Sequence, residues 1–420
     1  IGEVDLHAGW QVGKNTRPHA WLLTYDGFDA EGEHAREALC TLSNGYWGTR
    51  GSIPGAAAGK VHYPGTYMAG IFNRVTSEID GTTIETEHLV KAPDWTFLQI
   101  HTTDGRLLHP TEDDILDLRQ ELDMRKGVLR RVIRQCDAEG RVTRISTEQI
   151  QSMDDPHLAA LRMTVEPENW DGAVQVTSRI DGDVTNDNVS ADAELESRHL
   201  SVPVVDHLDG RTVSLEALTT QSEITLAVAT RTSVRTPEST PVEGRPSDAE
   251  RAVGHTFETT LTPGTPVIVE KIVAAASSRD RALSTPRQDA VKRIQRTGDF
   301  DELYTAHVQR WNRWWELFGM ELSTTRQNSL AINLHIFHVL QCVAAVNPDL
   351  DAGVPARGLH GEGYRGQHFW DELFVYPMLT LRQPALTRAL LAYRYRRLEE
   401  ARAAAREAGL QGALFPWRRS

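Results

Sequence analysis

The sequence predicts a large antiparallel β-sandwich followed by an all-helical domain, with a charged helical linker between them. Three observations carry this. Up to about residue 272, β-branched segments alternate apolar and polar residues, the two-residue period of a half-buried strand. Asp-Gly dipeptides punctuate the same stretch at residues 26–27, 80–81, 104–105, 171–172, 181–182 and 209–210, the composition of tight hairpin turns. Beyond residue 278 the apolar spacing becomes helical and the charge density rises.

The elements come in order. The segments LAALRMTV (158–165), AVQVTSRI (173–180), SEITLAVATRTSV (222–234) and TPVIVEKIVAAA (265–276) read as strands. Nothing between them reads as the helix of a βαβ unit, so an open parallel sheet is excluded. The expected divisions are residues 1–272 for the sandwich, 273–323 for the linker and 324–420 for the helical domain. In the linker, Trp311, Trp314, Trp315 and Phe318 fall at i, i+3, i+4 and i+7. One aromatic stripe results, which core packing explains better than sugar stacking. Leu330, Leu334, Phe337, Leu340 and Ala344 continue at helical spacing. His335 and His338 lie three apart on that helix with no third ligand in view, so they read as a packed pair and no metal site is expected. A further helix pair spans residues 384–409, opened by Pro384 and closed by Gly409.

Composition narrows the class of function. The chain has 420 residues, too many for one ordinary core. With 45 basic and 58 acidic residues its net charge is −13, which repels phosphate backbones and argues against a nucleic-acid partner. Thr380–Ser420 departs from this with nine Arg against three Glu. Most of those Arg read as solvated helix faces, with anion contact as the minority reading. Cys40, Cys136 and Cys342 are odd in number and far apart, so they read as buried thiols in a reducing, cytoplasmic setting. No apolar run reaches 18 residues, so no membrane partner is expected. There is no G-x-S-x-G nucleophile turn.

One stretch invites a specific reading. Ala356–Pro377 contains Gly361-x-Gly363-x-x-Gly366, the spacing of a dinucleotide-binding loop. Such a loop must come after a buried strand and lead into a helix whose N-terminus faces phosphate. Here the preceding NPDLDAGVPARGLH is rich in turn formers, and no acidic residue ends a second strand some 20 residues on. The dinucleotide reading is rejected. The residues after the glycines are more telling. Phe369-Trp370-Asp371-Glu372 sets an indole beside two carboxylates. Sugars need an aromatic platform for their C–H faces and charged acceptors for their hydroxyls. The alternative is that Trp370 is core and Asp371 caps the next helix. Neighbours on a helix diverge by about 100°, so only one of Asp371 and Glu372 can face a ligand.

The segment VPARGLHGEGYRGQHFWDELFVYP resembles the glucose-binding segment of glycoside hydrolase family 65, the maltose, trehalose and kojibiose phosphorylases and acid trehalases. REALCTLSNGYWGTRGS (36–52), HYPGTYMAGIFNR (62–74), ELDMRKGVLRR (121–131), MDDPHLAALRMTV (153–165), LHIFHVLQCV (334–343) and GALFPW (412–417) are similar to family segments in family order. The resemblance implies a galactose mutarotase-like supersandwich, linker helices and the start of an (α/α)6 catalytic barrel. It implies that Trp370 and Asp371 bind the glucosyl unit, with Arg365, Gln367, His368 and Glu372 supporting them. The family's Tyr-Arg-Gly-His reads here as Tyr364-Arg365-Gly366-Gln367-His368, leaving the histidine's role to either Gln367 or His368. The activity implied is an inverting α-glucosyl disaccharide phosphorylase, with inorganic phosphate as co-substrate, no cofactor, and homodimers as the expected assembly. An acid trehalase-type hydrolase and a non-catalytic carbohydrate-binding remnant are the rivals.

Family resemblance also implies a catalytic Glu in a segment close to Gly-Pro-Asp-Glu-Tyr-His, downstream of FPW. No such segment occurs before Ser420. The 420-residue chain is therefore expected to hold no catalytic residue and to be inactive. Glu372, the one conceivable substitute acid, is expected to stay solvated without closed barrel walls.

Overall fold

The computed structural model describes residues 20–108, 114–189, 192–237, 239–281, 285–320, 322–345, 349–416 and 418–419. The strands are β1 (Leu22–Asp26), β2 (Leu42–Ser43), β3 (Trp47–Thr49), β4 (Thr66–Ile79), β5 (Thr82–Ala92), β6 (Leu98–Thr102), β7 (Ile115–Asp123), β8 (Val128–Cys136) and β9 (Val142–Gln151). They continue as β10 (Leu158–Pro167), β11 (Gly172–Asp181), β12 (Leu200–His207), β13 (Thr212–Thr219), β14 (Thr225–Arg235), β15 (Arg245–Pro246), β16 (Ala252–Leu261) and β17 (Val267–Ser277). A short helix α1 (Glu33–Leu39) comes after β1.

These strands form a nine-stranded sheet, in the order β1-β7-β8-β9-β10-β17-β14-β13-β12, and two four-stranded sheets, β15-β16-β11-β6 and β2-β3-β4-β5. All their pairings are antiparallel. One core lies between the large sheet, which gives Leu161, Val165, Val228 and Val269, and the smaller sheets, which give Trp47, Val90, Val176 and Phe257. The β4–β5 hairpin turns at Asp80 and Gly81, both at positive φ (49° and 73°), the geometry for which Asp-Gly is selected.

β10 shows why one strand reads as nearly continuous apolar sequence. Ala159, Leu161, Met163 and Val165 point into the sandwich core. Leu158 and Ala160 point the other way, under Ala290 and Ile294 of α2 (Pro286–Arg296) and Phe300 and Leu303 of α3 (Phe300–Phe318). A strand covered on both faces loses the polar half of its alternation.

The aromatic stripe of α3 is core. Trp311 stacks on Trp315 with centroids 5.7 Å apart and on Phe337 at 4.8 Å, and Trp315 Nε1 donates to the Met124 carbonyl (3.0 Å). His307, on the same helix, is buried with Nδ1 accepting from the Met153 amide (3.2 Å) and Nε2 facing the Gly127 carbonyl (3.1 Å). This arrangement suits a neutral ring, and burial pushes its pKa down to about 4. Phe337 belongs to α4 (Arg326–Val343), capped by the Thr325 side chain. After a long loop come β18 (His368–Phe369), α5 (Glu372–Arg382), α6 (Pro384–Arg396), α7 (Leu398–Glu407) and β19 (Arg418–Arg419), which pairs with β18. Pro384 occupies the first turn of α6, and Gly409 lies just past α7 at φ +70°. Cys40 is buried, whereas Cys136 and Cys342 are partly accessible.

Candidate active site

The loop of residues 352–371 joins α4 to α5 and is pinned against the sandwich. Its anchor is Glu362, the residue between the first two glycines. Glu362 is buried and accepts from Tyr63 Oη (2.7 Å), Tyr67 Oη (2.8 Å) and the Asn188 amide (2.9 Å). Burial raises its pKa, opposed by those three hydrogen bonds and by Lys91. Arg50, fully buried, ties the same loop by donating to the His360 carbonyl (2.6 Å) and, on its other side, to the carbonyl of Tyr63 (2.8 Å).

A dinucleotide loop is absent here. No strand leads into the glycines; Gly363–Gly366 form one 3-10 turn in which Tyr364 and Arg365 take left-handed φ of 55° and 57°. Non-glycine residues rarely adopt that region, at a cost of order 1–3 kcal/mol each, and keep it only where the surroundings impose it. The surroundings do impose it. Gly366 lies so close to β5 that an added Cβ would clash with the Leu89 side chain, and Arg365 reaches Asp192 at 3.1 Å. The glycines let a loop dock on a sheet.

Past the turn, the expected site residues separate into two groups. Trp370 and Asp371 stand exposed at the start of α5, Trp370 with half its surface in solvent (52%). Trp370 is therefore not core. Asp371 occupies the position before the helix, but its side chain makes no capping bond. Its acceptor oxygens are left for something other than the helix.

Gln367, His368 and Glu372 form the second group, all buried. Gln367 Nε2 donates to the Glu87 carbonyl (3.2 Å). His368 packs edge-on against Phe72 and Tyr393, at 5.9 and 5.0 Å. Neither of its ring nitrogens has a hydrogen-bond partner among the described residues. Burial, followed by the charges of Arg394 and Arg397, holds its pKa down near 3. Glu372 Oε1 accepts from Arg394 Nε at 2.7 Å. A Cβ added at Gly353 would lie 3.1 Å from Glu372 Oε2 and 3.3 Å from His368 Nδ1, so both side chains pack closely over this glycine.

One expectation is corrected. Glu372 is not solvated: it is 3% exposed, because α6 folds back and supplies Arg394 as its counter-ion. Most of the described Arg of residues 380–420 are exposed, as expected, with two exceptions. The Arg394 and Arg397 side chains are only 17% and 18% exposed, and Arg397 grips Asp351 through both terminal nitrogens (2.9 and 3.0 Å). Sequence reasoning missed Asp351, Glu362, Tyr63, Tyr67 and Tyr393. The signal for α6 was the run Tyr393-Arg394-Tyr395-Arg396-Arg397, where three-residue spacing puts Arg394 and Arg397 on one face. Among the described residues no three His, Cys, Asp or Glu side chains could hold a metal ion together.

Comparison with known proteins decides the family. The glycosyl hydrolase family 65 N-terminal domain matches residues 23–314, and the family's central catalytic domain matches residues 333–420. The chain belongs to glycosyl hydrolase family 65. Among curated relatives, an uncharacterized glycosyl hydrolase of Mycobacterium tuberculosis is 41% identical over 398 residues, 94% of this chain and 30% of that one. A kojibiose phosphorylase of Caldanaerobacter subterraneus is 29% identical, covering 94% of this chain and 51% of that one. A trehalose 6-phosphate phosphorylase of Lactococcus lactis is 26% identical, covering 94% and 50%. This family 65 chain thus spans about half the length of the relatives it matches, or less. A solved structure from the human microbiome, provisionally assigned as a kojibiose phosphorylase, superposes with TM-score 0.83 at 20% identity, covering 96% of this chain and 52% of that one. The shared fold is an antiparallel β-rich N-terminal domain followed by helices. No helix among the described residues is long and apolar enough to cross a membrane.

Proposed function

We propose that this chain supplies the glucosyl-binding part of an inverting α-glucosyl disaccharide phosphorylase. The observation that carries the reading is Trp370 beside Asp371, an exposed indole and an uncommitted carboxylate at the start of α5. The loop before them is braced by Glu362 and by Gly366 on β5. The indole offers a platform for the pyranose C–H face and the carboxylate accepts from ring hydroxyls. Rigid support keeps the two at fixed spacing before the sugar arrives.

The reaction breaks the bond between the anomeric carbon and the glycosidic oxygen and forms one from that carbon to a phosphate oxygen on the opposite face. A carboxylic acid gives its proton to the departing oxygen, and inversion yields β-glucose 1-phosphate and a free sugar. Glu372 is not proposed for the acid. Its Oε1 is committed to Arg394, and its buried side faces His368 rather than the exposed shoulder of Trp370. We infer that the acid comes from a family segment these 420 residues do not contain. Relatives named as phosphorylases favour phosphate over water as the acceptor. Calorimetric titration of the chain with kojibiose, trehalose and maltose tests the binding role: a disaccharide should bind to the wild type and lose that binding in Trp370→Ala. Incubation with the same sugars and phosphate should release no glucose 1-phosphate. Turnover that vanishes in Glu372→Gln would overturn the assignment of the acid.

A further inference from the structure

A second site lies inside the sandwich, on the inner face of the large sheet. Gln120 of β7, Arg131 of β8 and Thr147 of β9 stand opposite one another in register, so their side chains share one face. All three are buried, Arg131 with 1% of its surface exposed. Arg131 Nε donates to Gln120 Oε1 (2.6 Å) and Nη2 donates to the Gly51 carbonyl. Nη1 has no partner among the described residues, nor has the Thr147 hydroxyl. Arg131 and Thr147 both line a cavity of about 20 Å³, whose other walls include Leu98, Ile100, Ile133 and Met163. Gln99, the remaining polar side chain there, turns its amide to the Gly55 carbonyl (2.9 Å).

A buried cation is costly unless it is paired. The hydrogen bonds of Arg131 go to an amide oxygen and a carbonyl, not to a carboxylate. Glu33 and Glu37 act on it from further off, favouring its charge against the cost of burial. Each is already held elsewhere: Glu33 by Arg36 (3.0 Å), Glu37 by Arg50 (3.5 Å) and His62 (2.9 Å). Cys40 is also near, but burial pushes its thiol up to about 11, so it carries no charge near neutrality. The cavity therefore offers a guanidinium edge and a hydroxyl, both able to donate, within apolar walls. A water could accept from both and would leave the charge unmatched. The volume suits one atom-sized occupant, since about 10–15 Å³ is enough for a water, and it excludes a phosphate or a sugar. Apolar walls cannot replace the hydration shell of a small hard anion, which leaves a larger, weakly hydrated one.

We propose that this cavity binds one halide ion, chloride in ordinary media, which accepts from Arg131 Nη1 and from the Thr147 hydroxyl. Charge-assisted hydrogen bonds of this kind are stronger than neutral ones. The site reaches the glycine loop through two adjacent residues. Gly51, which accepts from Arg131, follows Arg50, whose guanidinium holds the His360 carbonyl (2.6 Å). An ion that fixes Arg131 thus steadies the segment on which that loop is docked. Trp370 and Asp371 take no part, so the site stands or falls independently of the sugar-binding reading.

The experiment is thermal unfolding of the 420-residue chain at fixed ionic strength, with sodium chloride replacing sodium methanesulfonate, whose anion is too large for the cavity. A ligand that binds only the folded state raises the melting temperature with its concentration in a defined way, and chloride and bromide should each do so. Thr147→Val keeps the branched shape and removes the hydroxyl, so it should fold and should need about tenfold more chloride for the same rise. Arg131→Gln should abolish the chloride dependence. Arg245→Gln, on an exposed strand elsewhere, should leave it unchanged. Crystals grown in sodium bromide should show an anomalous peak beside Arg131 Nη1 and Thr147 Oγ1. A water in that place, a melting temperature that is the same in chloride and methanesulfonate, or wild-type chloride dependence in Thr147→Val overturns the proposal.

Discussion

Removing the Glu362 carboxylate should loosen the whole glycine loop. In Glu362→Ala, the buried Tyr67 hydroxyl and the Asn188 amide lose their acceptor, while the Tyr63 hydroxyl can still turn to the Thr185 carbonyl (3.0 Å) or the Asp187 carboxylate (3.2 Å). Each unmet donor costs about 1–3 kcal/mol, and partial rearrangement brings the sum to roughly 2–4 kcal/mol. Glu362→Gln keeps one acceptor oxygen, so about 1–2 kcal/mol is expected. The two variants also separate by pH. Burial raises the folded pKa of Glu362, while an unfolded Glu titrates near about 4.3. Between those values the native state holds more protons than the unfolded one, so this group's contribution is full below the unfolded pKa and is lost as pH rises through the folded one. Urea melts at closely spaced pH values from 4 to 8 should show that decline superposed on the other titrations, and Glu362→Gln should lack it. Near-wild-type stability of Glu362→Ala would refute the view that this carboxylate holds the loop to the sandwich.

Other perturbations give different signatures. Trp370→Ala and Asp371→Asn should each leave the melting point nearly unchanged, because both side chains are exposed. In an enzyme carrying the whole barrel, each should cost roughly 2–4 kcal/mol in kcat/KM. His307, held down to about 4, contributes stability that is present above its unfolded pKa near 6.5 and lost as pH falls through 4. Burial costs of this kind are worth on the order of 3 kcal/mol, so His307→Gln should flatten the acid limb of the unfolding curve followed by circular dichroism. Leu373, Phe374, Leu381 and Tyr395 are 60%, 71%, 83% and 76% exposed on α5 and α6, and large apolar side chains left this exposed favour self-association. Phe374→Ser with Leu381→Lys should lower hydrophobic-dye binding and raise the soluble fraction with little change in melting temperature.

How much of this was legible depended on whether the cause was local. Period and turn chemistry are local, so the β10 and β17 strands, the α3 aromatic stripe and the Pro384–Gly409 helix pair could be read from spacing alone. The glycine spacing was legible as a pattern but not in its purpose, because Leu89, the side chain that forbids a Cβ at Gly366, lies 277 residues earlier in the chain. Burial of Glu372 was misjudged for a similar reason. Its counter-ion Arg394 arrives only when α6 reverses over α5, and composition had assigned that Arg to a wet face. Trp370 carried an ambiguous signal, since an indole serves a core or a sugar equally well until its exposure is known.

The seam at Glu362 bears on how such enzymes can change over time. Tyr63, Tyr67 and Leu89, which set the attitude of the loop bearing Trp370 and Asp371, belong to the sandwich rather than to the helices. A catalytic barrel transplanted onto a different β-domain would keep its own residues and lose the surface that aims them. Recombination between relatives should therefore succeed only where both sides of this seam travel together, and swaps that cut between them should fold yet turn over slowly.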